Sequence, residues 1–438
     1  MLKPGANVNT ADKDDDTPLY IGGRNGHIEV LRELLNHGAS VVNANKNGFY
    51  ALYLAGRNGR FKVVRELLKH GANVNIASKY GRTPLYAACQ DGHTEVVREL
   101  LKHGANVNSA NNDYWTPLYI AVRNGHIEVV RELLNHGAYV NTADKDGDTP
   151  LYIAVRNGHD EVVRELLKHG ANVNTASNFG RSSLYAAGQY GRVDVARELL
   201  KHDANVDTAS NFGRTALYSA CQNGHFEVVR ELLKHGANVN SASAYGRTPL
   251  YAACEEGFFE AVRELLNHGA NVNTADIDCW TPLHAAGQDG HVEVVRELLK
   301  HGANVNTASN YGRTPLYAAG QNGHVEAVRE LLNHGARVNT ADKDCWTPLH
   351  AAGQDGHIEV VRELLKHGAN VNTESNYGRT PLYAAGQNGH VEVVRELLKH
   401  GANVNTVNKY GYTPLYAAHK NGHVDVVREL ENYGAILP

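Results

Sequence analysis

The tetrapeptide Thr-Pro-Leu-Tyr returns at a fixed interval, and that interval limits what this chain can fold into. Copies start at Thr17, Thr83, Thr116, Thr149, Thr248, Thr281, Thr314, Thr347, Thr380 and Thr413, with His in place of Tyr after Thr281 and Thr347. Weaker copies start at Tyr50, Ser182 and Thr215, so thirteen copies follow one another every 33 residues without insertion or deletion. A chain of 438 residues is too long for one hydrophobic core. A strict period of this length marks units that bury their apolar faces on their neighbours.

Residues 309–341 show what one unit encodes. Ser309 opens a turn, as Asp, Asn or Ser does in every copy, because these side chains close tight turns on their own backbone. Gly312 supplies a positive φ. Thr314 is an N-cap, and Pro315 fits the first helical position, where its missing N–H costs nothing. The spacing predicts a short helix through Leu316, Ala318 and Ala319, stopped at Asn322-Gly323. A second helix is predicted from His324 to Leu332, with Ala327, Val328, Leu331 and Leu332 on one face and Gly335 as the left-handed residue after its end. Helices of about eight to ten residues do not persist alone in water.

A longer period overlies the first. Residues 274–339 and 340–405 differ at six of 66 positions. Turns reading DxDCW alternate there with turns reading SNYGR, so the unit last copied is a pair of repeats.

A 33-residue period, a turn, two antiparallel helices, and the motifs TPL[YH], NGH and RELLKHGANVN together resemble the ankyrin repeat. The resemblance covers essentially the whole chain. It implies an all-α repeat solenoid, a stack of helix-turn-helix units with β-hairpin fingers projecting from it, fingers and first helices lining a groove. Residues 1–16 read as an N-terminal half-repeat and first finger, and residues 17–438 as repeats one to thirteen in one continuous solenoid. The family usually has His after Thr-Pro-Leu, whereas eleven copies here have Tyr and only His284 and His350 keep it. Repeats two and six are the weakest: repeat two has Tyr50-Ala51 for Thr-Pro, and repeat six has Ser182-Ser183 there and Asp203 for the glycine that ends helix two, which predicts local softness over 176–216. Glu431, replacing the second Leu of RELL, is the polar residue a terminal cap needs. The resemblance also implies that asparagines of the Asn-Val-Asn linker, such as Asn240 and Asn306, are candidates for asparaginyl hydroxylation.

Catalysis is not expected, because nearly every titratable residue recurs many times and an active site needs a constellation used once. The 25 histidines follow the repeat: ten precede helix two, twelve follow it, and His284, His350 and His419 remain. No Cys-x-x-Cys or His-Glu-x-x-His spacing occurs, so neither metal nor cofactor is expected. The five cysteines read as free thiols in packing or turn positions. A formal charge of -4 argues against nucleic acid as a partner. No apolar run is long enough to span a membrane. A cytoplasmic monomer is the expectation.

Function is then sought where the repeat itself does not need the residue. Three places before the Thr of Thr-Pro-Leu an aromatic recurs, at Tyr80, Phe179, Phe212, Tyr245, Tyr311, Tyr377 and Tyr410. One place before it stands Arg82, Arg181, Arg214, Arg247, Arg313 or Arg379, or one of the three tryptophans, Trp115, Trp280 and Trp346. Tyr, Trp and Arg dominate binding hot spots, so these sixteen residues are the candidate partner-binding set. On helix one, Gln189, Gln222, Gln288, Gln321, Gln354 and Gln387 form a second stripe, replaced by Arg24, Arg57, Arg123 and Arg156 in earlier repeats, as though two partners met different halves. The expected function is a non-catalytic scaffold that binds other proteins. The alternatives are single-stranded nucleic-acid binding through the aromatic and Arg ladder, and an elastic spacer within a larger protein.

Overall fold

The computed structural model describes residues 7–436. Residues 1–6 of the N-terminal half-repeat lie outside the described residues. The chain divides into two compact units, Met1–Asn211 and Phe212–Pro438. Helix pairs fill both, six from Pro18 to Lys201 in the first and seven from Ala216 to Asn432 in the second.

The repeat beginning at Thr314 has the architecture its residues dictate. Helix one is Pro315–Gln321 and helix two is Val325–Asn333. Thr314 Oγ1 accepts the N–H of Tyr317 at 3.2 Å, satisfying one orphan donor of the first turn. Helix two ends at Gly335, whose φ of 85° only glycine adopts without strain. Helix one buries Leu316, Ala318 and Ala319; helix two buries Ala327, Val328, Leu331 and Leu332. Each such Leu or Val contributes about 1.5–3 kcal/mol on leaving water, and this offsets the poor intrinsic stability of helices of seven and nine residues.

Neighbouring first helices approach closely. A Cβ added to Gly56 would stand 3.0 Å from the carbonyl oxygen of Pro84 in the next repeat, and one added to Gly287 3.2 Å from that of Pro315. Cys89, Cys221 and Cys254 occupy the same place in other repeats, fully buried and unpaired, and burial pushes their thiols up. They act as small packing residues.

Polar side chains join repeat to repeat within each unit. Asn306 Nδ2 donates to the Gly335 carbonyl at 3.1 Å while its Oδ1 accepts the Arg337 N–H at 2.8 Å. Asn240 does the same with Gly269 and Asn271. His ring nitrogens before helix two reach the last carbonyl of the previous first helix, as His126 Nε2 to Gln90 O at 3.0 Å and His390 Nε2 to Gln354 O at 2.8 Å. Arg of one RELL sequence bridges to Glu of the next, as Arg98 to Glu132 and Arg296 to Glu330, both at 2.8 Å. The histidines are thus construction material.

The fingers are hairpin-shaped loops closed by their first side chain. Ser309 Oγ accepts the N–H groups of Tyr311 and Arg313 at 3.3 and 3.2 Å, and Asp342 Oδ1 accepts those of Asp344 and Trp346, both at 2.9 Å. The fingers form no strand among the described residues and only one isolated antiparallel bridge, Ala44 to Tyr50. The place two before the Thr always has a positive φ, which Gly fills in most repeats; Tyr114, Cys279 and Cys345 adopt it at 62°, 61° and 60°.

Candidate interaction surface

The finger folds back over the start of helix one, and this brings three positions of each repeat together: the residue before the Thr, the aromatic three places after it, and the residue seven places after it. The aromatic at the second position is the Tyr of Thr-Pro-Leu-Tyr. It is buried in nearly every repeat, for example 1 % exposed at Tyr86 and 3 % at Tyr317.

Arginine at the first position lies over that ring. The guanidinium carbon is 4.7 Å from the ring centroid in the pair Arg247 and Tyr251, 5.0 Å for Arg313 and Tyr317, 5.1 Å for Arg214 and Tyr218, 5.6 Å for Arg379 and Tyr383, 5.7 Å for Arg82 and Tyr86, and 5.8 Å for Arg181 and Tyr185. These are cation–π distances. Burial pushes the Tyr86 and Tyr317 hydroxyls up to about 12 even beneath a cation.

Tryptophan at the first position packs its ring against that aromatic instead, stacked at Trp115 and tilted at Trp280 and Trp346. Trp115 lies 5.6 Å from Tyr119, Trp280 5.1 Å from His284, and Trp346 5.2 Å from His350, centroid to centroid. His284 and His350 complete a capping box. Nδ1 of His284 accepts the Thr281 N–H at 3.1 Å, and its Nε2 donates to the Arg313 carbonyl at 3.0 Å in the next repeat. His350 repeats this with Thr347 and Arg379. Desolvation lowers both imidazoles to about 4, so each is neutral.

The third position answers the first. Asp16 faces Arg24 at 4.0 Å and Asp148 faces Arg156 at 3.4 Å. Arg247 faces Glu255 at 3.0 Å, and Arg214 donates to Gln222 at 3.3 Å. Arg123 lies 4.4 Å over Trp115, and Lys420 5.9 Å over Tyr412. Where the finger residue is Asp the helix-one residue is Arg, and where it is Arg the helix-one residue is Gln or Glu; beside Trp it is Arg at 123 and Gln at 288 and 354.

The tip aromatics behave differently. Tyr80, Phe179, Phe212, Tyr245, Tyr311, Tyr377 and Tyr410 are 49–62 % exposed. Two lean on their own Arg, Tyr80 toward Arg82 at 5.8 Å and Phe179 toward Arg181 at 5.5 Å. The sixteen candidate residues thus separate into exposed tips and half-buried Arg and Trp that are already engaged. Tyr114, 60 % exposed beside Trp115, and Tyr412, stacked 4.3 Å from Tyr416, share the surface and are additions to the sixteen; Tyr412 occupies the place held by Trp115, Trp280 and Trp346 in other repeats. The signal for Tyr114 was an aromatic where the turn asks for glycine.

A family profile describing ankyrin repeats in sets of three copies matches the chain in successive overlapping stretches, 1–78, 72–144, 138–210, 202–276, 274–342, 338–408 and 373–437.

The chain belongs to the ankyrin-repeat family.

No curated protein matches it. Ankyrin repeats are in general modules of protein–protein interaction and typically non-catalytic scaffolds. Among the described residues of this ankyrin-repeat chain no three His, Cys, Asp or Glu side chains gather as a metal site would require, and no helix is long and apolar enough to cross a membrane.

Proposed function

We propose that this ankyrin-repeat chain is a non-catalytic scaffold, acting as a monomer, that binds partner proteins along the surface made by its finger tips and first helices. One observation carries the reading. Seven aromatic tips stand about half exposed or more at the same place in their repeats, on backbone fixed by side-chain and inter-repeat hydrogen bonds. A large rigid side chain loses little entropy on binding, so such tips are efficient contacts.

The test is capture of partners by the intact chain and by a variant carrying Tyr311→Ala and Tyr377→Ala. Arg313 and Arg379 stay, because both lie over buried rings. Proteins retained only by the intact chain support the reading. Capture of single-stranded nucleic acid that collapses with added salt, or no specific capture by either bait, overturns it.

A further inference from the structure

Between the repeats beginning at Thr380 and Thr413 a cavity of about 410 Å³ opens toward the surface. It is walled by tyrosines, among them Tyr383, Tyr412 and Tyr416, and its charged lining residues are Arg379 and Lys420, with no carboxylate.

Two sibling repeats place a carboxylate here, whereas the residue 29 places after Arg82, Arg181 and Arg214 is Asn111, Ser210 and Ser243. In the preceding fingers, Asp276 and Asp342 use Oδ1 to close their own turns, while Oδ2 points back to the arginine of the repeat before. Asp276 Oδ2 lies 3.4 Å from Arg247 Nε, and Asp342 Oδ2 lies 3.8 Å from Arg313 Nε. Arg247 Nε donates to its carboxylate, while Arg313 Nε has a carboxylate nearby but beyond hydrogen-bond distance.

At Arg379 the corresponding residue is Asn408. Its Oδ1 closes the turn by accepting the N–H groups of Tyr410 and Tyr412 at 2.9 and 3.1 Å, which fixes the amide orientation. Nδ2 then stands where Asp276 and Asp342 carry Oδ2. An acceptor has become a donor. Asn408 is 4 % exposed, and beyond an approach to the Tyr383 hydroxyl its Nδ2 has no hydrogen-bond partner; Arg379 Nε is buried without one. Two donors short of an acceptor thus line one cavity, and a buried unpaired donor costs about 1–3 kcal/mol.

We propose that this cavity receives an oxyanion carried by a side chain of the bound partner, held by Arg379 and Asn408 Nδ2, with Lys420 as a second cation and the tyrosines enclosing its stem. The inference rests on the reading that this surface binds proteins, and it names the chemistry of one anchor. The sources of such an anion are an acidic side chain and a phosphorylated one.

The experiment follows the Nε–H signal of Arg379 in the full chain by ¹H–¹⁵N spectroscopy. The probes are the methylamides of acetylglutamate, acetylglutamine and acetylphosphoserine. A saturable shift with the glutamate or the phosphoserine derivative, and none with glutamine, is expected; the tighter of the two identifies the source. Asn408→Asp installs the residue already used at 276 and 342, so the fold is preserved. It should move the Arg379 signal toward that of Arg247 and weaken the charged probes about tenfold or more. No shift with either charged probe, an equal shift with the glutamine derivative, or unchanged binding to Asn408→Asp overturns the proposal. Capture through Tyr311 and Tyr377 does not involve Arg379, so the wider reading stands or falls separately.

Discussion

Arg156 donates to the carboxylate of Asp148 at 3.4 Å across a spacing of eight residues, and Arg247 with Glu255 makes the same bridge with the charges reversed at 3.0 Å. The finger residue and the helix-one residue of a repeat are thus one unit. Asp148→Arg should cost about 1–2 kcal/mol, since it sets two cations together on a partly buried surface. Adding Arg156→Glu should regain most of that loss. Urea unfolding of the four proteins in the cycle measures the coupling, and additive losses would show that the pair does not act as a unit.

Acid should weaken the second unit through His284 and His350. Both are neutral when folded, with values near 4 against 6.5 for a free imidazole. The unfolded chain takes up protons first, so their contribution is complete above about pH 6.5 and is lost as the pH falls toward 4. The loss should reach about 3 kcal/mol for each His by pH 4. Denaturation of the intact chain beside His284→Tyr/His350→Tyr between pH 7 and pH 4 checks the difference in slope.

Asp148 should tilt the first unit the other way. Burial, with Asp144 nearby, raises its carboxyl from 3.8 to about 6 despite Arg156. The folded state holds the proton longer than the unfolded state, so stability from this group falls as pH rises from about 4 to 6. Asp148→Asn should remove that slope and leave a variant more stable than the parent at pH 7 by about 1–3 kcal/mol. A parent and variant with the same pH profile would contradict it.

The finger turns carry strain that a single substitution relieves. Cys279 and Cys345 hold φ near 60° where most repeats have glycine. Each Cys→Gly change should raise stability by about 1 kcal/mol, and Gly312→Cys should cost about as much. Calorimetric Tm values for the three variants decide this. Asp203, at φ 61°, is the same case at the end of a helix. Hydrogen exchange should be faster over 176–216 than in the repeats from Thr314 to Asn405, and Asp203→Gly should slow it.

Asn306 joins two repeats with both ends of its amide. Asn306→Ala should cost about 1–2 kcal/mol through two lost bonds. Asn306→Asp keeps the acceptor for Arg337 but turns an oxygen toward the Gly335 carbonyl, so it should cost at least as much. Urea midpoints compare the two. Asn240 and Asn306 were read as hydroxylation candidates, and intact-mass analysis of protein from its native source tests this by increments of one oxygen.

The helices, caps and packing faces were legible because they depend on residues close in sequence or on the period of 33. Thr314, Pro315, Gly335 and the apolar face of Val325–Asn333 behave as their chemistry dictates. The organisation of the surface was not. Comparing equivalent places across repeats displays a column of Arg and a column of Gln, but hides that residue 247 answers residue 255, because a spacing of eight brings side chains together only once the finger is known to bend back over the helix. The cavity at Arg379 was hidden more deeply. It depends on Asn408, 29 residues away, holding an amide nitrogen where Asp276 and Asp342 hold an oxygen.

The pairing across eight residues also bears on how such a chain changes in length. Both members of each pair lie inside one repeat, so recombination in register that breaks outside the eight-residue interval keeps Asp148 with Arg156 and Trp115 with Arg123. The near-identity of 274–339 and 340–405 is the trace of one such event. Copy number can thereby change while these pairs arrive intact. What such an event does alter is the contact across a junction, such as Arg379 against Asn408.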